Sequence, residues 1–100
     1  MMLFKKIFYR AIADGAKTTT LRYWRRRRVK PGSLHAVPHL GRIRVESVQQ
    51  VCLADLTEQH ARADGFQTLT DLRGALEKMY GQDPMTDGRQ LYLVRFTFLG

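Results

Sequence analysis

The sequence has few residues that cross-link or interrupt a chain, with one cysteine and three prolines in 100 residues. It also has a single tryptophan. The single cysteine, Cys52, excludes an internal disulfide, and we therefore predict a reducing, cytoplasmic setting. No apolar run approaches the roughly 18 residues that a membrane-spanning helix needs, so we expect no membrane partner. The length is that of one ordinary domain, which predicts a single core across residues 1–100.

Acidic residues are scarce in the first 44 residues, where Asp14 is the only one. That segment holds twelve Lys and Arg residues and has a net charge of +11, whereas residues 45–100 hold five against eight acids and have a net charge of −3. Such segregation is typical of proteins that meet phosphate or another polyanion. We expect a nucleoside or RNA as the partner of a monomeric chain. The alternative is a solvated, solubilising surface.

Hydrophobic periodicity and turn residues predict a small α+β domain. The predicted order is a helix ending at Gly15, strands at 17–24, 33–37 and 42–53, two helices stopping at Gly65 and Gly81, and a strand at 91–99. Asp55 with Glu58, and Thr68 with Asp71, are the predicted capping pairs of the two later helices. The last strand alternates and is expected to be half-buried. Strands joined both by helices and by β-rich runs favour a sheet curled into a barrel.

The segment GAKTTTLRYWRRRR, residues 15–28, contains the most chemistry. Because side chains alternate along a strand, residues 18, 20, 22 and 24 are expected on one face and residues 17, 19, 21 and 23 on the other. The first set is polar and cationic with an aromatic edge. Such a face is poor core material and suits a ligand.

The string GAKTTTLR resembles the signature of the ASCH domain, with its glycine, spaced lysine, threonine and arginine. The likeness continues in the same order through KPG, LGRIRVESV, DLTEQHARADGF and LYLVRF, and so spans nearly the whole chain. It implies a PUA-like fold, a small mixed β-barrel with flanking helices, related to RNA-binding and modified-base-binding domains.

One branch of that family consists of stand-alone chains that hydrolyse the acyl amide of acetylcytidine. The resemblance implies that Lys17 is the base, Thr20 the nucleophile and Asp64 the acid. This sequence departs from the branch at Asp64, where the branch has a glutamate. Aspartate is one methylene shorter, so its reach to the leaving amine decides whether the acid role carries over.

The chemistry of these residue types agrees with amide hydrolysis. Threonine is a weak nucleophile that needs an adjacent base, and a neutral lysine supplies one. Lysine is neutral near pH 7 when it is desolvated or crowded by like charge, and Arg22 with the arginines at 25–28 is expected to crowd Lys17. Asp64 falls at a predicted helix C-terminus, which raises a carboxyl pKa toward that of a general acid. Lys17 and Thr20 can converge only if Lys17 lies in the turn after Gly15 or if a bulge reverses one residue.

Other residues of the segment have binding roles in this interpretation. We expect contacts to substrate from Arg22, Thr18, Trp24 and Tyr23, and contacts to nucleic-acid phosphates from Arg25, Arg26, Arg27 and Arg28. Alternatives remain for most of them. The threonines also suit an ordinary half-exposed strand, and the two aromatic residues suit barrel packing. Asp64 also suits a surface pair with Arg62 or with an arginine of the 25–28 run.

The three histidines suggest less. His60 is four residues before Asp64 and either orients that acid or only packs. His35 and His39 have a spacing seen in metal sites, but Pro38 lies between them and no carboxylate is near in sequence, so we expect no metal and no cofactor. Three hypotheses follow: an acylcytidine amidohydrolase, a non-catalytic module that binds RNA or a modified base, and, least favoured, a ribonuclease.

Overall fold

The computed structural model describes residues 1–100 and has the predicted α+β composition. In chain order it contains a 3₁₀ turn Lys6–Phe8, helix α1 (Tyr9–Ala13), strands β1 (Thr19–Trp24), β2 (Leu34–Val37) and β3 (Gly41–Val51), a 3₁₀ turn Leu53–Asp55, helices α2 (Glu58–Ala63) and α3 (Leu69–Tyr80), and strand β4 (Gln90–Phe98). None of the helices has the length and apolar character needed to cross a bilayer. β1 begins two residues later than predicted.

The four strands form one sheet in the order β1-β4-β3-β2, and every neighbouring pair is antiparallel. The sheet is curled into a half-barrel, which confirms the PUA-like α+β prediction. A register shift in β3 between Val45 and Ser47 marks a bulge, and bulges increase local twist. In this strand order β1 and β2 are the edge strands, and β4 lies between β1 and β3.

β4 is more buried than predicted. Leu91 and Leu93 belong to the core cluster under α2 and α3, whereas Tyr92 and Val94 pack with residues of β3 on the opposite face. The prediction of a half-buried strand is wrong for residues 91–94, because the helices cover one face of the sheet and its own curl covers the other. A continuous apolar run is typical of a strand buried on both faces.

The start of α2 also differs from the prediction. The Thr57 side chain accepts a hydrogen bond from the His60 backbone, and His60 Nδ1 accepts one from the Thr57 N–H at 2.9 Å, so Thr57 caps the helix. The predicted Asp55–Glu58 pair is wrong because the preceding 3₁₀ turn is followed by Leu56, which is extended and buried. Glu58 instead accepts from the Leu69 N–H at 2.9 Å and ties α2 to α3.

The predicted cap of α3 is confirmed, since the Thr68 side chain accepts from the Asp71 N–H at 3.1 Å. Leu72 and Leu76 are buried on the inner face of this helix, as its apolar spacing predicts. The segment before β1 is fixed to both sides: the Lys17 N–H donates to the Ala11 carbonyl, and the Thr18 N–H donates to the Ala63 carbonyl. These bonds place the entry to β1 against the end of α2.

Candidate active site

A cavity of about 280 Å³ lies along the outer edge of β1. Four of the predicted site residues, Lys17, Thr20, Arg22 and Asp64, form its polar side. Its apolar walls come from the N-terminal segment and from α3 with the loop before it, and include Leu3, Phe4, Phe8, Phe66, Leu72, Ala75, Leu76 and Met79. The site thus combines a small set of ionisable groups with a largely hydrophobic enclosure.

Lys17 and Asp64 form a buried pair at the polar side of the cavity. They are 3% and 5% exposed. Lys17 Nζ donates to the backbone carbonyl of Asp64 at 2.6 Å and lies 3.4 Å from Asp64 Oδ2. The Thr19 hydroxyl donates to Asp64 Oδ1 at 3.1 Å. Asp64 is therefore not a surface acid paired with Arg62, the alternative that the sequence left open.

Of the two conditions under which Lys17 and Thr20 can converge, the structure meets the first, because Lys17 lies in the turn after Gly15 and not in β1. The alternation of the strand therefore does not apply to it. The cavity runs along the strand edge, where side chains from either face of β1 reach it. Gly65 completes the arrangement with φ +95°, a left-handed conformation that turns the chain directly after Asp64. A Cβ at Gly65 would lie 3.5 Å from Lys17 Cδ, so the lysine stem packs against this turn.

The environment shifts both members of the pair toward their neutral forms. Burial lowers the pKa of Lys17, against the opposing effect of Asp64, and Arg22 lowers it slightly further. Burial raises the pKa of Asp64 to about 6, opposed by Lys17, Thr19 and Arg22. Both shifts reduce the free energy needed to move a proton from the amine to the carboxyl. The product of that transfer is a neutral base beside a protonated acid.

The cause of the lysine shift differs from the one expected. Burial is its main source, and Arg22 is the arginine that contributes, whereas the arginines at 25–28 line a different depression. Asp64 is the C-cap residue of α2, as predicted, but burial is the main source of its raised pKa too. A phenyl ring adds to the lysine environment: Nζ lies 4.5 Å from the centroid of Phe8, a cation–π contact that favours the charged amine.

Thr20 is paired with Arg22. Arg22 Nε donates to Thr20 Oγ1 at 2.8 Å, and a second guanidinium nitrogen donates to the Leu3 carbonyl at 2.7 Å. The guanidinium also lies 5.0 Å from the Phe4 ring centroid, so three contacts fix its position. A cationic donor on the threonine oxygen stabilises negative charge that develops there. No hydrogen bond joins Lys17 to Thr20, although both line the cavity.

The other predicted substrate contacts lie elsewhere. Thr18 is exposed and does not line the cavity. Tyr23 is buried edge-on against Tyr80, with ring centroids 5.1 Å apart, and Trp24 packs against Tyr92 at 5.7 Å. Both aromatic residues face a second depression, so their expected contact with substrate stays a prediction and would involve that other surface.

The second depression, which we call the arginine depression, has a volume of about 510 Å³. It is lined by Tyr23, Trp24, Arg25, Arg26, Arg27, Arg28, Asp87 and Arg89. Asp87 accepts from Arg89 at 2.9 Å and lies 3.7 Å from Arg25, which neutralises part of the charge. The side chains at 25–28 remain exposed to solvent.

The histidines have structural contacts. His60 Nδ1 takes part in the cap of α2, and the side chain makes no hydrogen bond to Asp64. His35 Nε2 lies 2.8 Å from the Ser33 hydroxyl. No group of three or more His, Cys, Asp and Glu residues is arranged to hold a metal ion.

Sequence reasoning missed the role of Thr19. The predicted strand put Thr19 on the same face as Lys17, and although Lys17 itself lies before β1, Thr19 does contact Asp64, the partner of Lys17. The Phe8 contact had no comparable sequence pattern, because it depends on how the N-terminal segment crosses the edge of β1.

Known structures share this fold. An ASCH domain from Lactobacillus crispatus superposes with a TM-score of 0.78 and 15% identity, over 92% of this chain and 70% of that one. The chain has an ASCH-like fold. A structure described as hypothetical protein PH0355 gives a TM-score of 0.80 at 13% identity, covering 98% and 96% of the two chains. A Pyrococcus furiosus protein gives 0.70 at 16% identity, covering 98% and 94%.

No family model and no curated protein sequence matches the chain. The structural matches confirm the resemblance carried by GAKTTTLR at the level of the ASCH-like fold. At identities of 13–16% a structural likeness establishes the fold alone, because one fold hosts many functions. The function of this chain therefore depends on the side chains at the cavity.

Proposed function

We propose that this protein is an amidohydrolase that removes an acyl group from the exocyclic nitrogen of an acylated cytidine or related nucleoside. The observation that carries the proposal is the buried Lys17–Asp64 pair in the cavity that Thr20 also lines. A lysine of lowered pKa and a carboxyl of raised pKa are what a base and an acid require near neutral pH.

In the proposed first half-reaction, the Thr20 oxygen attacks the acyl carbonyl carbon while neutral Lys17 takes the hydroxyl proton. Arg22, already bonded to this oxygen, stabilises the negative charge on it as its proton leaves. The C–N bond then breaks, and protonated Asp64 gives its proton to the leaving nitrogen. The products are an acyl ester on Thr20, a free cytosine amine, a lysinium and an aspartate.

In the second half-reaction, water attacks the ester and gives a proton to Asp64, and Lys17 returns a proton to the Thr20 oxygen as the carboxylic acid leaves. The Lys17–Asp64 pair ends with the protons it started with. In this scheme the Asp64 backbone carbonyl and its carboxylate both contact Lys17, which keeps the acid beside the base.

The cavity suits a small, flat ligand. Its volume of about 280 Å³ lies at the lower end of the range for small-molecule sites, roughly 300–1,000 Å³. Aromatic and aliphatic walls favour the faces of a nucleobase, and the polar side favours the amide. A ligand of this size leaves the sugar toward the open side of the cavity.

The experiment is a hydrolysis assay with acetylcytidine, followed by chromatographic separation of cytidine. We expect turnover by the unmodified protein and a loss of at least about 100-fold in kcat/KM for Lys17→Met and Thr20→Val. The matched control is Thr18→Val, which removes a hydroxyl two residues away that lies outside the cavity. No turnover, or equal turnover in the two threonine variants, contradicts the proposal.

A second candidate function, binding of single-stranded RNA, is favoured by the arginine depression and by Trp24 at its wall. If residues 25–28 contact phosphates, replacing all four arginines with glutamine reduces the slope of log affinity against log salt by up to roughly 3. The control replaces three exposed cations of the helices: Arg62, Arg73 and Lys78. Fluorescence anisotropy with a labelled RNA measures both, and equal slopes for the two variants contradict this candidate.

A further inference from the structure

The polar side of the cavity includes main-chain groups as well as side chains. β1 is an edge strand, and β4 is its only strand neighbour. In an antiparallel pair, successive residues point their N–H and C=O groups alternately toward the neighbour and away from it. The Phe96 N–H donates to the Thr18 carbonyl at 2.9 Å, so the pair Thr18–Phe96 is of the hydrogen-bonded kind. Counting along the register, Thr20 and Arg22 also bond to β4.

The other side of β4 gives the same alternation independently. The Leu99 N–H donates to the Arg42 carbonyl at 2.9 Å, so odd-numbered residues of β4 direct their main-chain groups toward β3. Leu93 is one of these residues, and it is the partner of Leu21 in the register. The N–H and C=O of Leu21 consequently point away from β4, to the free edge of the sheet.

At Leu21 the free edge opens into the cavity. Thr20, Leu21 and Arg22 are consecutive and all three line it, as expected when a strand presents its edge and not one face. The Leu21 side chain packs into the core under α2 and α3. The N-terminal segment and α3 flank the edge without adding a strand, and none of the turn, loop or side-chain hydrogen bonds involves the Leu21 N–H or C=O.

A buried main-chain donor and acceptor without partners in the protein are unusual. More than about 90% of buried main-chain groups are paired, because leaving one unpaired destabilises the folded state. Leu21 is only 4% exposed. Its donor and acceptor lie between the side chains of Thr20 and Arg22 along the chain, beside the hydroxyl that the proposed reaction uses.

We propose that the main-chain N–H and C=O of Leu21 bind the hydrogen-bonding edge of the nucleobase. The N–H donates to the ring nitrogen of an aminopyrimidine, and the C=O accepts from the exocyclic N–H, which an acylated cytosine retains. The ligand class is thus a planar heterocycle with a donor and an acceptor side by side. This inference rests on the proposed function, and it assigns base selection to the main chain of β1.

Amide hydrogen exchange measured by NMR tests the assignment directly, with cytidine added to the unmodified protein. We expect exchange of the Leu21 amide to slow at least tenfold on binding. The internal control is the Tyr23 amide, which the same alternation directs to the free edge but which lies outside the cavity. Cytidine binding that shifts cavity resonances and leaves the Leu21 exchange rate unchanged overturns the proposal.

Two base analogues test the hydrogen bonds from the ligand side. Zebularine lacks the exocyclic amine, and 3-deazacytidine lacks the ring acceptor, so each leaves one Leu21 group unpaired. We expect each to bind roughly tenfold or more weakly than cytidine. Equal affinity for all three nucleosides overturns the proposal.

These results separate the inference from the reaction on which it rests. Hydrolysis of acetylcytidine without protection of Leu21 refutes the inference alone. Protection of Leu21 by cytidine without hydrolysis refutes the reaction alone and supports the base site. Absence of both hydrolysis and nucleoside binding refutes both.

Discussion

Replacing Asp64 with asparagine is expected to change how the free energy of unfolding depends on pH. In the folded protein the carboxyl pKa is about 6, against an ordinary value of 3.8, because the side chain is buried. The folded state therefore holds this proton more tightly than the unfolded state does. The resulting stabilisation is fully present below pH 3.8 and is lost as the pH rises through 6.

The magnitude follows from the size of the shift. A difference of about 2 pKa units, at about 1.4 kcal/mol each, corresponds to about 3 kcal/mol. The Asp64 side chain is only 7% exposed, so solvent screens this effect little. Relative to the unmodified protein, Asp64→Asn should gain about 3 kcal/mol of stability between roughly pH 3.5 and pH 7. The gain levels off above pH 7.

Urea unfolding at closely spaced pH values and constant ionic strength measures this difference, with fluorescence of the single tryptophan, Trp24, as the signal. Subtracting the two curves cancels the carboxyls that both proteins share. In Lys17→Met the opposing charge is removed, so the pKa of Asp64 should rise further and the window should extend to higher pH. A stability difference between Asp64→Asn and the unmodified protein that is flat from pH 3.5 to 7 refutes the assignment of a buried, pKa-raised carboxyl.

Three further substitutions test other contacts. Thr19→Val removes the donor to Asp64, so the pKa of Asp64 and the limb of the pH–activity profile that reports it should move to higher pH, whereas Thr19→Ser should restore the profile; coincident profiles contradict this. Gly41→Ala should cost about 1–3 kcal/mol in urea unfolding, because its φ is +150° and the new Cβ would lie 2.6 Å from the Gly100 carbonyl carbon. Thr57→Ala should cost about 1 kcal/mol by the same assay because Thr57 caps α2, and an unchanged midpoint would contradict that role.

Sequence patterns predicted the elements better than their environments. Local rules decided that a strand follows Lys17 and that Thr68 starts a helix, since both depend on neighbouring residues. The cap of α2 was misplaced by two residues because the burial of Leu56, a tertiary contact, keeps the chain extended through Thr57. The two-sided burial of β4 depends on the curl of the whole sheet, and no local pattern contains that curl.

The candidate site divides in the same way. The resemblance carried by GAKTTTLR and HARADGF implied roles for Lys17, Thr20 and Asp64, three residues that the fold brings to one cavity. Tyr23 and Trp24 were grouped with them by proximity in sequence. The structure separates them because β1 passes the cavity within a few residues and then turns its aromatic end to the arginine depression. The open main-chain groups of Leu21 became visible only from strand order and register, which a single sequence does not show.

The strand order also determines at which stage of chain synthesis this cavity can form. β1 has β4 as its only strand partner, and Thr19 lies opposite Arg95. Pairings so distant in sequence form slowly, because a long loop must close first. A nascent chain that has emerged only as far as Gly88 already contains Lys17, Thr20 and Asp64. It still lacks the strand that holds β1 in place, so the site assembles after residues 90–98 have left the ribosome.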